Sequence, residues 1–70
     1  MKFEQLKVNF EIPEIIQHDI DGLQEEIERN GTCVDCWQDE IRGSCHMCQG
    51  HSISYEQAEL LINYYCRRRW

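Results

Sequence analysis

Four of the five cysteines lie within residues 32–54 as two Cys-x-x-Cys pairs. The pairs are Cys33 with Cys36 and Cys45 with Cys48. Two such pairs in a short chain are typical of a tetrahedral thiolate site for Zn²⁺, because two intervening residues let one tight turn present both sulfurs. Only eight residues separate Cys36 from Cys45, whereas commoner zinc ribbons have about 15–20. The four cysteines are therefore candidate ligands of one zinc ion, at an unusual spacing.

The same stretch also has the pattern of an amphipathic helix. Thr32 is a good N-cap residue, and Gly50 lies where a helix commonly ends. Gly43 is less favourable, since glycine costs about 1 kcal/mol relative to alanine inside a helix. Apolar and cysteine side chains recur at steps of three, four, four and three, which places them on one helical face. They are Val34, Trp37, Ile41, Cys45 and Cys48.

The zinc and helix interpretations exclude each other by geometry. Cys33 and Cys45 are twelve residues apart, which is about 18 Å along a helix. Two sulfurs on one zinc ion are at most about 4.6 Å apart. Because several independent helix signals agree, we predict a helix and keep a compact zinc-ribbon module as the alternative. The expected cofactor is accordingly none, or one Zn²⁺ if the zinc interpretation holds.

The segment before this stretch begins with a period-two pattern. Leu6, Val8, Phe10 and Ile12 alternate with polar residues, as in a half-buried strand. The sequence contains no obvious second strand. We therefore expect these residues to pair across a homodimer or with another protein's sheet edge, or to lie as an extended arm over the helices. A homodimer formed through residues 5–12 is the assembly prediction.

Two further helices are predicted on either side of the cysteine-rich stretch. Pro13 opens the first at the favoured first helical position, and Asn30 with Gly31 ends it. Ser54 and Gln57 form a capping box that starts the last helix. The expected buried positions of the first helix are Ile16, Ile20, Leu23 and Ile27, widened by Ile15, and those of the last helix are Ala58, Leu61, Ile62 and Tyr65.

The predicted fold is a small all-α, three-helix domain with one amino-terminal strand or extended arm. The helices are expected near residues 14–29, 33–49 and 54–68. As parts of a single domain over 1–70, the boundaries are an arm at 1–12, a first helix at 13–30, a cysteine-rich helix or zinc module at 32–49, and a third helix at 54–69.

Composition restricts the class of protein. Seventy residues are enough for one small domain, close to the lower limit for a self-sufficient core. The sequence has no apolar run of membrane-spanning length and no signal-peptide core, so a cytoplasmic protein with reduced thiols is expected. Residues 1–49 hold eleven of the thirteen acidic residues and four of the seven basic ones. This charge would repel a phosphate backbone, so direct binding of nucleic acid is disfavoured.

Motifs of catalysis are missing from the sequence. It has no glycine-rich phosphate loop, no nucleophile elbow and no His-Glu-x-x-His motif. A Cys-x-x-Cys oxidoreductase would need a thioredoxin-like βαβ setting, for which this chain is too short. We therefore do not expect an enzyme.

Acidic residues cluster in the first two predicted helices and form a candidate partner-binding surface. They are Glu14, Asp21, Glu25, Glu28, Asp35, Asp39 and Glu40. Such a row is commonly just a solvated helix face, and it is also the kind of surface that attracts a basic protein. The expected function is a non-enzymatic protein-binding module whose partner is a protein with a basic surface, with no membrane binding.

Two resemblances extend these interpretations. The run CVDCWQDEIRGS at residues 33–44, with FEIP before it and IS-x-EQA after it, resembles small helical proteins of bacterial phages and mobile elements. That resemblance implies an inhibitor, of the anti-CRISPR kind, which occupies the nucleic-acid channel of a host protein. The run Cys45-x-x-Cys48-Gln49-Gly50 resembles part of the zinc repeats of the anti-TRAP regulator and J-domain chaperones. This second resemblance implies a zinc-stabilised regulatory adaptor in which the two cysteine pairs hold a structural ion.

Overall fold

Three helices and an extended arm make up the fold in the computed structural model, which describes residues 3–70. The helices are α1 (Glu14–Glu28), α2 (Val34–Cys48) and α3 (Tyr55–Tyr65). Helix α2 is central and packs against both α1 and α3. The predicted all-α class is confirmed. Because residues 34–48 form one continuous helix, the alternative fold, a compact zinc ribbon between two helices, is not the one that this chain forms.

The first helix begins and ends close to the predicted positions. Pro13 is the N-cap, with an extended ψ of 146°, so it precedes the first helical position that it was predicted to occupy. Asn30 has a left-handed φ of 55°. Its N–H donates to the Ile27 carbonyl (3.1 Å), and the Gly31 N–H donates to the Glu26 carbonyl (2.8 Å). This is a Schellman motif in which asparagine, rather than glycine, takes the left-handed position.

The two later helices differ in how well their ends were predicted. The capping box of α3 is confirmed, because Ser54 Oγ accepts from the Gln57 N–H (3.0 Å) and Gln57 Oε1 accepts from the Ser54 N–H (2.8 Å). Gly50 follows α2 with a φ of 78°, as a helix-ending glycine does. The N-cap prediction for α2 is wrong, since the N-cap is Cys33 and not Thr32, and Cys33 makes no side-chain cap.

Helix α3 is shorter than predicted because other groups take its last carbonyl. The Tyr65 carbonyl accepts hydrogen bonds from Gln38 Nε2 of α2 (2.9 Å) and from the Trp70 indole N–H (3.2 Å). Gln38 Nε2 also donates to the Arg68 carbonyl (2.9 Å). These bonds hold the chain after Tyr65 in a turn against α2, so the helix ends there rather than near residue 68.

The core lies where the three helices meet. The predicted stripes are buried, apart from Ile27, Val34 and Trp37, which are half-buried, and Ile15, which is exposed. Ile41 and Cys45 of α2 are fully buried between the outer helices. The α1–α2 contact also contains a polar pair that the sequence pattern did not indicate, in which buried Ser44 donates from Oγ to Oδ2 of buried Asp19 (2.5 Å). This pairing satisfies both groups without access to water.

Two glycines have opposite surroundings in the α1–α2 region. A Cβ on Gly22 of α1 would lie 2.5 Å from the Trp37 ring, whereas a Cβ on Gly43 of α2 would meet nothing within 4 Å. Both residues are helical. The absence of a side chain at Gly22 therefore lets the indole approach the α1 backbone.

We expect the same substitution to have opposite effects at these glycines. Gly43→Ala should raise the free energy of unfolding by about 1 kcal/mol, the gain in helix propensity. Gly22→Ala should lower it by roughly 1–3 kcal/mol, since the new methyl group displaces the indole. Urea unfolding followed by circular dichroism measures both. A stabilised Gly22→Ala variant would show that the Trp37 ring does not occupy this place.

The arm follows its predicted alternation. Leu6, Val8, Phe10 and Ile12 are half-buried and pack against the core, while the residues between them are exposed. Within residues 3–70 the arm has no strand partner, the single bridge being that between Gln49 and Ile53. The arm therefore lies over its own helices. Residues 1–2 of the predicted arm lie outside the described residues, and the homodimer through residues 5–12 stays a prediction.

Aromatic side chains join the arm to the end of the chain. The Tyr65 hydroxyl accepts from the Leu6 N–H (2.8 Å), and the Tyr64 hydroxyl donates to the Glu4 carbonyl (2.7 Å). Phe3 lies against Trp70, with ring centroids 4.7 Å apart. The Arg68 guanidinium lies 4.3 Å from the Tyr64 ring centroid, an attractive cation–π arrangement. These contacts hold the arm against α3.

None of the three helices combines the length and apolar character needed to cross a membrane.

Candidate protein-binding surface and cysteine pairs

All seven acidic residues predicted to bind a partner are exposed. Four lie on α1 and three on α2, the two helices that pack against each other. In chain order they are Glu14, Asp21, Glu25, Glu28, Asp35, Asp39 and Glu40. We call this set the acidic surface. The fold thus places the predicted residues on two packed elements with their carboxylates in contact with water.

Only part of the acidic surface is engaged by the rest of the chain. Asp21 Oδ1 accepts hydrogen bonds from the side-chain amides of Gln17 (2.9 Å) and Gln5 (3.2 Å). Glu28 accepts one from Gln24 (3.1 Å). These bonds leave the negative charges in place, because the donors are neutral amides.

Ion pairing neutralises little of this charge. Asp39 lies 3.8 Å from the Arg42 guanidinium, with both side chains more than half exposed. Within the part of the chain that the structure describes, none of the other six acidic residues forms an ion pair. Exposed pairs of this kind contribute little to stability. The acidic surface therefore retains most of its charge for interaction with other molecules.

A shallow groove of about 320 Å³ runs between α1 and α2 beside part of the acidic surface. Its wall includes Ile15 and Met47, which are 44% and 64% exposed. Asp39 and Glu40 also line it, and Gly43 leaves its floor open. The exposure of Ile15 corrects the expectation that this residue widens the buried stripe of α1. An apolar groove next to carboxylates suits a long basic side chain, whose stem is apolar and whose head is charged.

The amino end of α2 is capped by a residue of α1 that the sequence pattern did not single out. Glu26 is 3% exposed. Its Oε2 accepts from the Cys33 backbone N–H (3.1 Å), and its Oε1 pairs with the Arg29 guanidinium (2.6 Å). The hydrogen bond from Arg29, and after it that from Cys33, lower the pKa of the Glu26 carboxyl, against the opposing effect of burial. The carboxylate also faces the positive end of the α2 dipole.

The four cysteines of the predicted zinc site are not brought together. Cys33 and Cys36 are exposed at the amino end of α2, whereas Cys45 and Cys48 are buried at its carboxyl end. Cys36 and Cys45 are nine positions apart along the helix, which corresponds to about 13 Å. A single tetrahedral ion cannot join sulfurs so far apart. The donor set therefore does not fit one zinc ion within this chain.

Two of the thiols are less acidic than a free cysteine. Burial raises the pKa of the Cys45 thiol to about 12, and nearby Cys66, Cys48 and Asp19 add to the effect. Burial likewise raises the pKa of Cys66, whose Sγ donates to the Gln38 carbonyl (3.1 Å). A raised pKa disfavours the reactive thiolate at neutral pH. Among residues 3–70, no group of three or more His, Cys, Asp or Glu side chains is arranged to hold a metal ion.

Zinc binding by this protein stays a prediction, and metal analysis of protein purified without added zinc tests it.

Comparison with known proteins adds no assignment of family. No family model, no curated protein and no solved structure matches this chain.

Proposed function

We propose that this protein is a non-enzymatic, cytoplasmic protein-binding module whose acidic surface occupies a basic, nucleic-acid-binding surface of another protein. The observation that carries the proposal is the exposure of seven carboxylates on two packed helices, of which only Asp39 has a cationic partner within the described residues. The sequence resemblance to small phage and mobile-element proteins supports an inhibitory role against a bacterial host protein.

Charge supplies the speed and selectivity of such an encounter. The chain carries a formal net charge of −6, and most of its basic residues lie outside α1 and α2. A negative surface attracts a positive one at a distance and repels nucleic acid, which competes for the same partner. Each carboxylate stands in for a phosphate of the displaced nucleic acid. The attraction should weaken as salt increases, since the Debye length is about 8 Å at physiological ionic strength.

The α1–α2 groove supplies the contact that charge alone lacks. Exposed carboxylates at a rim change association rates more than they stabilise the final complex. Ile15 and Met47 offer apolar area that an incoming arginine or lysine stem would cover, with its cationic head near Asp39 or Glu40. Burial of this kind slows dissociation. The proposal therefore assigns encounter to the acidic surface and retention to the groove.

Charge reversal in the acidic surface is expected to abolish partner capture. We would immobilise the protein, expose it to a bacterial lysate at moderate salt, and elute the captured proteins with duplex DNA. The wild type should release nucleic-acid-binding proteins, because DNA competes for the same basic surface. The double variant Glu25→Lys/Glu40→Lys should capture at most about one tenth of the partner protein that the wild type captures, since each reversal replaces attraction by repulsion. Neither position is in the first turn of a helix, so the new lysines are not placed at the positive end of a helix dipole.

A matched variant separates position from net charge. Glu4→Lys/Glu11→Lys makes the same change on the arm, where both side chains are exposed. Each double variant takes the net charge from −6 to −2, because each substitution adds two charges. The arm variant should retain most of the capture. Equal loss from both doubles would reduce the effect to net charge, and undiminished capture by the Glu25/Glu40 variant would contradict the proposed surface.

A further inference from the structure

We propose that Cys33 and Cys36 form a reversible dithiol–disulfide site at the amino end of α2, which takes low-molecular-weight disulfides such as oxidised glutathione as its reaction partners. The site needs no metal, and its chemistry does not depend on partner binding, although Asp35 of the acidic surface lies between the two cysteines. It differs from a catalytic oxidoreductase in that the protein itself is the molecule whose state changes.

The position of the pair at the start of the helix permits the bond. Cys33 is the N-cap, with φ −99° and ψ 24°, and Cys36 lies in the first turn. Residues three apart in or beside a helical turn have Cα atoms about 5 Å apart, within the range of about 4.4–6.8 Å found for disulfides. The Cβ atoms must approach from about 5–6 Å to about 4 Å. Cys33 precedes the regular helix, so a small backbone rotation there makes this approach while the Cys33 N–H stays bonded to Glu26 and the Cys33 carbonyl to Trp37.

Access favours the reaction at this end. Both thiols are exposed, so a small disulfide can reach either sulfur. The thiolate is the attacking species in thiol–disulfide exchange. Cys-x-x-Cys pairs at helix amino termini commonly react in this way.

The chemistry is a two-step exchange with a balanced outcome. One cysteine thiolate attacks a sulfur of oxidised glutathione, which forms a mixed disulfide and releases one glutathione thiolate. The second cysteine thiolate then attacks the protein sulfur of that mixed disulfide and releases the other glutathione thiolate. The two cysteines lose two electrons and two protons, and the two glutathione molecules gain them. Excess reduced glutathione reverses both steps.

The chain contains its own control for this inference. Cys45 and Cys48 have the same spacing, but both lie inside α2 and are buried. Their backbone is held in regular helix, so their Cβ atoms cannot make the approach without breaking helical hydrogen bonds. Burial also keeps a small disulfide from reaching them. Equal spacing in sequence therefore predicts unequal reactivity.

The test is thiol counting after equilibration of the full chain with reduced and oxidised glutathione. Remaining thiols are alkylated in denaturant and located by peptide mass spectrometry. We expect the five thiols of the reduced protein to fall to three, with Cys33 and Cys36 joined within one chain. Trp37, the next residue, should report the closure as a change in fluorescence. Cys36→Ser should instead carry one glutathione on Cys33, because the second step is removed.

Matched variants decide between this site and nonspecific oxidation. Cys45→Ala/Cys48→Ala should still lose two thiols, whereas Cys33→Ser/Cys36→Ser should lose none, and reduced glutathione should restore the wild type completely. Disulfide-linked dimers in place of the closed monomer would overturn the proposal. So would oxidation of Cys45 and Cys48 at the same glutathione ratio, or wild-type protein that keeps all five thiols.

Discussion

Tyr65→Ala is expected to remove roughly a third or more of the free energy of unfolding in neutral buffer at room temperature. The Tyr65 ring is fully buried, and its hydroxyl accepts the Leu6 N–H of the arm. Removal of a large buried ring costs about 3–5 kcal/mol. A chain of 70 residues has a total stability of roughly 4–10 kcal/mol. The loss is thus between roughly a third of the free energy of unfolding and all of it.

Tyr65→Phe separates the hydroxyl from the ring in this experiment. It keeps the packing and removes one hydrogen bond, so the expected loss is about 1 kcal/mol. The arm should also become easier to digest, because the Leu6 N–H is no longer held. Urea unfolding followed by circular dichroism gives the free energies, and limited proteolysis reports the arm. If Tyr65→Ala unfolds as cooperatively as the wild type at a similar midpoint, the ring does not close the core as described.

Glu26→Gln is expected to lower the melting temperature at neutral pH by several degrees. The amide keeps the shape of the side chain and loses the charge that pairs with Arg29 and faces the amino end of α2. Hydrogen bonds to an ionised group are stronger than neutral ones. A side chain that is 3% exposed has little water to replace them.

The pH dependence of this difference follows from the lowered pKa of Glu26. The folded protein binds a proton at this carboxyl less readily than the unfolded chain, whose pKa is near 4.5. Stability from Glu26 is therefore complete above pH 4.5 and is lost as the pH falls through the lower folded-state pKa. Wild type and Glu26→Gln should converge in melting temperature as the solution is acidified below that pH.

The adjacent residue is the control for the Glu26 experiment. Glu25→Gln removes the same charge from an exposed position one residue away. It lies in the last turn of α1, where a negative charge is unfavourable to the helix dipole, so a neutral or slightly positive effect is expected. Melting curves from pH 7 to acid compare the two variants. A gap between wild type and Glu26→Gln that stays constant on acidification would mean that the charge of Glu26 does not contribute.

The sequence determined the features of this protein that depend on near neighbours along the chain. The stripe Ile16, Ile20 and Leu23 predicts α1, and the pair Ser54 and Gln57 predicts the start of α3, because both patterns act within one or two turns of helix. The apolar alternation of the arm is equally local. The same is true of the choice between zinc ribbon and helix, which several local signals decided together.

The composition of the candidate surface was also visible in the sequence, because charged side chains are rarely buried without partners. The tertiary structure decided which acids are the exceptions, namely Asp19 and Glu26. Glu25 and Glu26 are neighbours, yet only Glu26 is turned towards the Cys33 N–H and the Arg29 guanidinium. That distinction depends on the path of the loop between α1 and α2, which the periodicity of the sequence does not predict.

Only the packing of the helices assigned roles to the cysteine pairs and to the ends of the chain. The pairs Cys33/Cys36 and Cys45/Cys48 have one spacing, but the first is exposed and the second is buried. The carbonyl that ends α3 is taken by Gln38, which is 27 residues away in the chain. Spacing determines which side chains can share a helical face, whereas burial and long-range hydrogen bonds depend on which faces meet. Which helix faces meet is determined only when all three helices of this 70-residue chain pack into one core that excludes water.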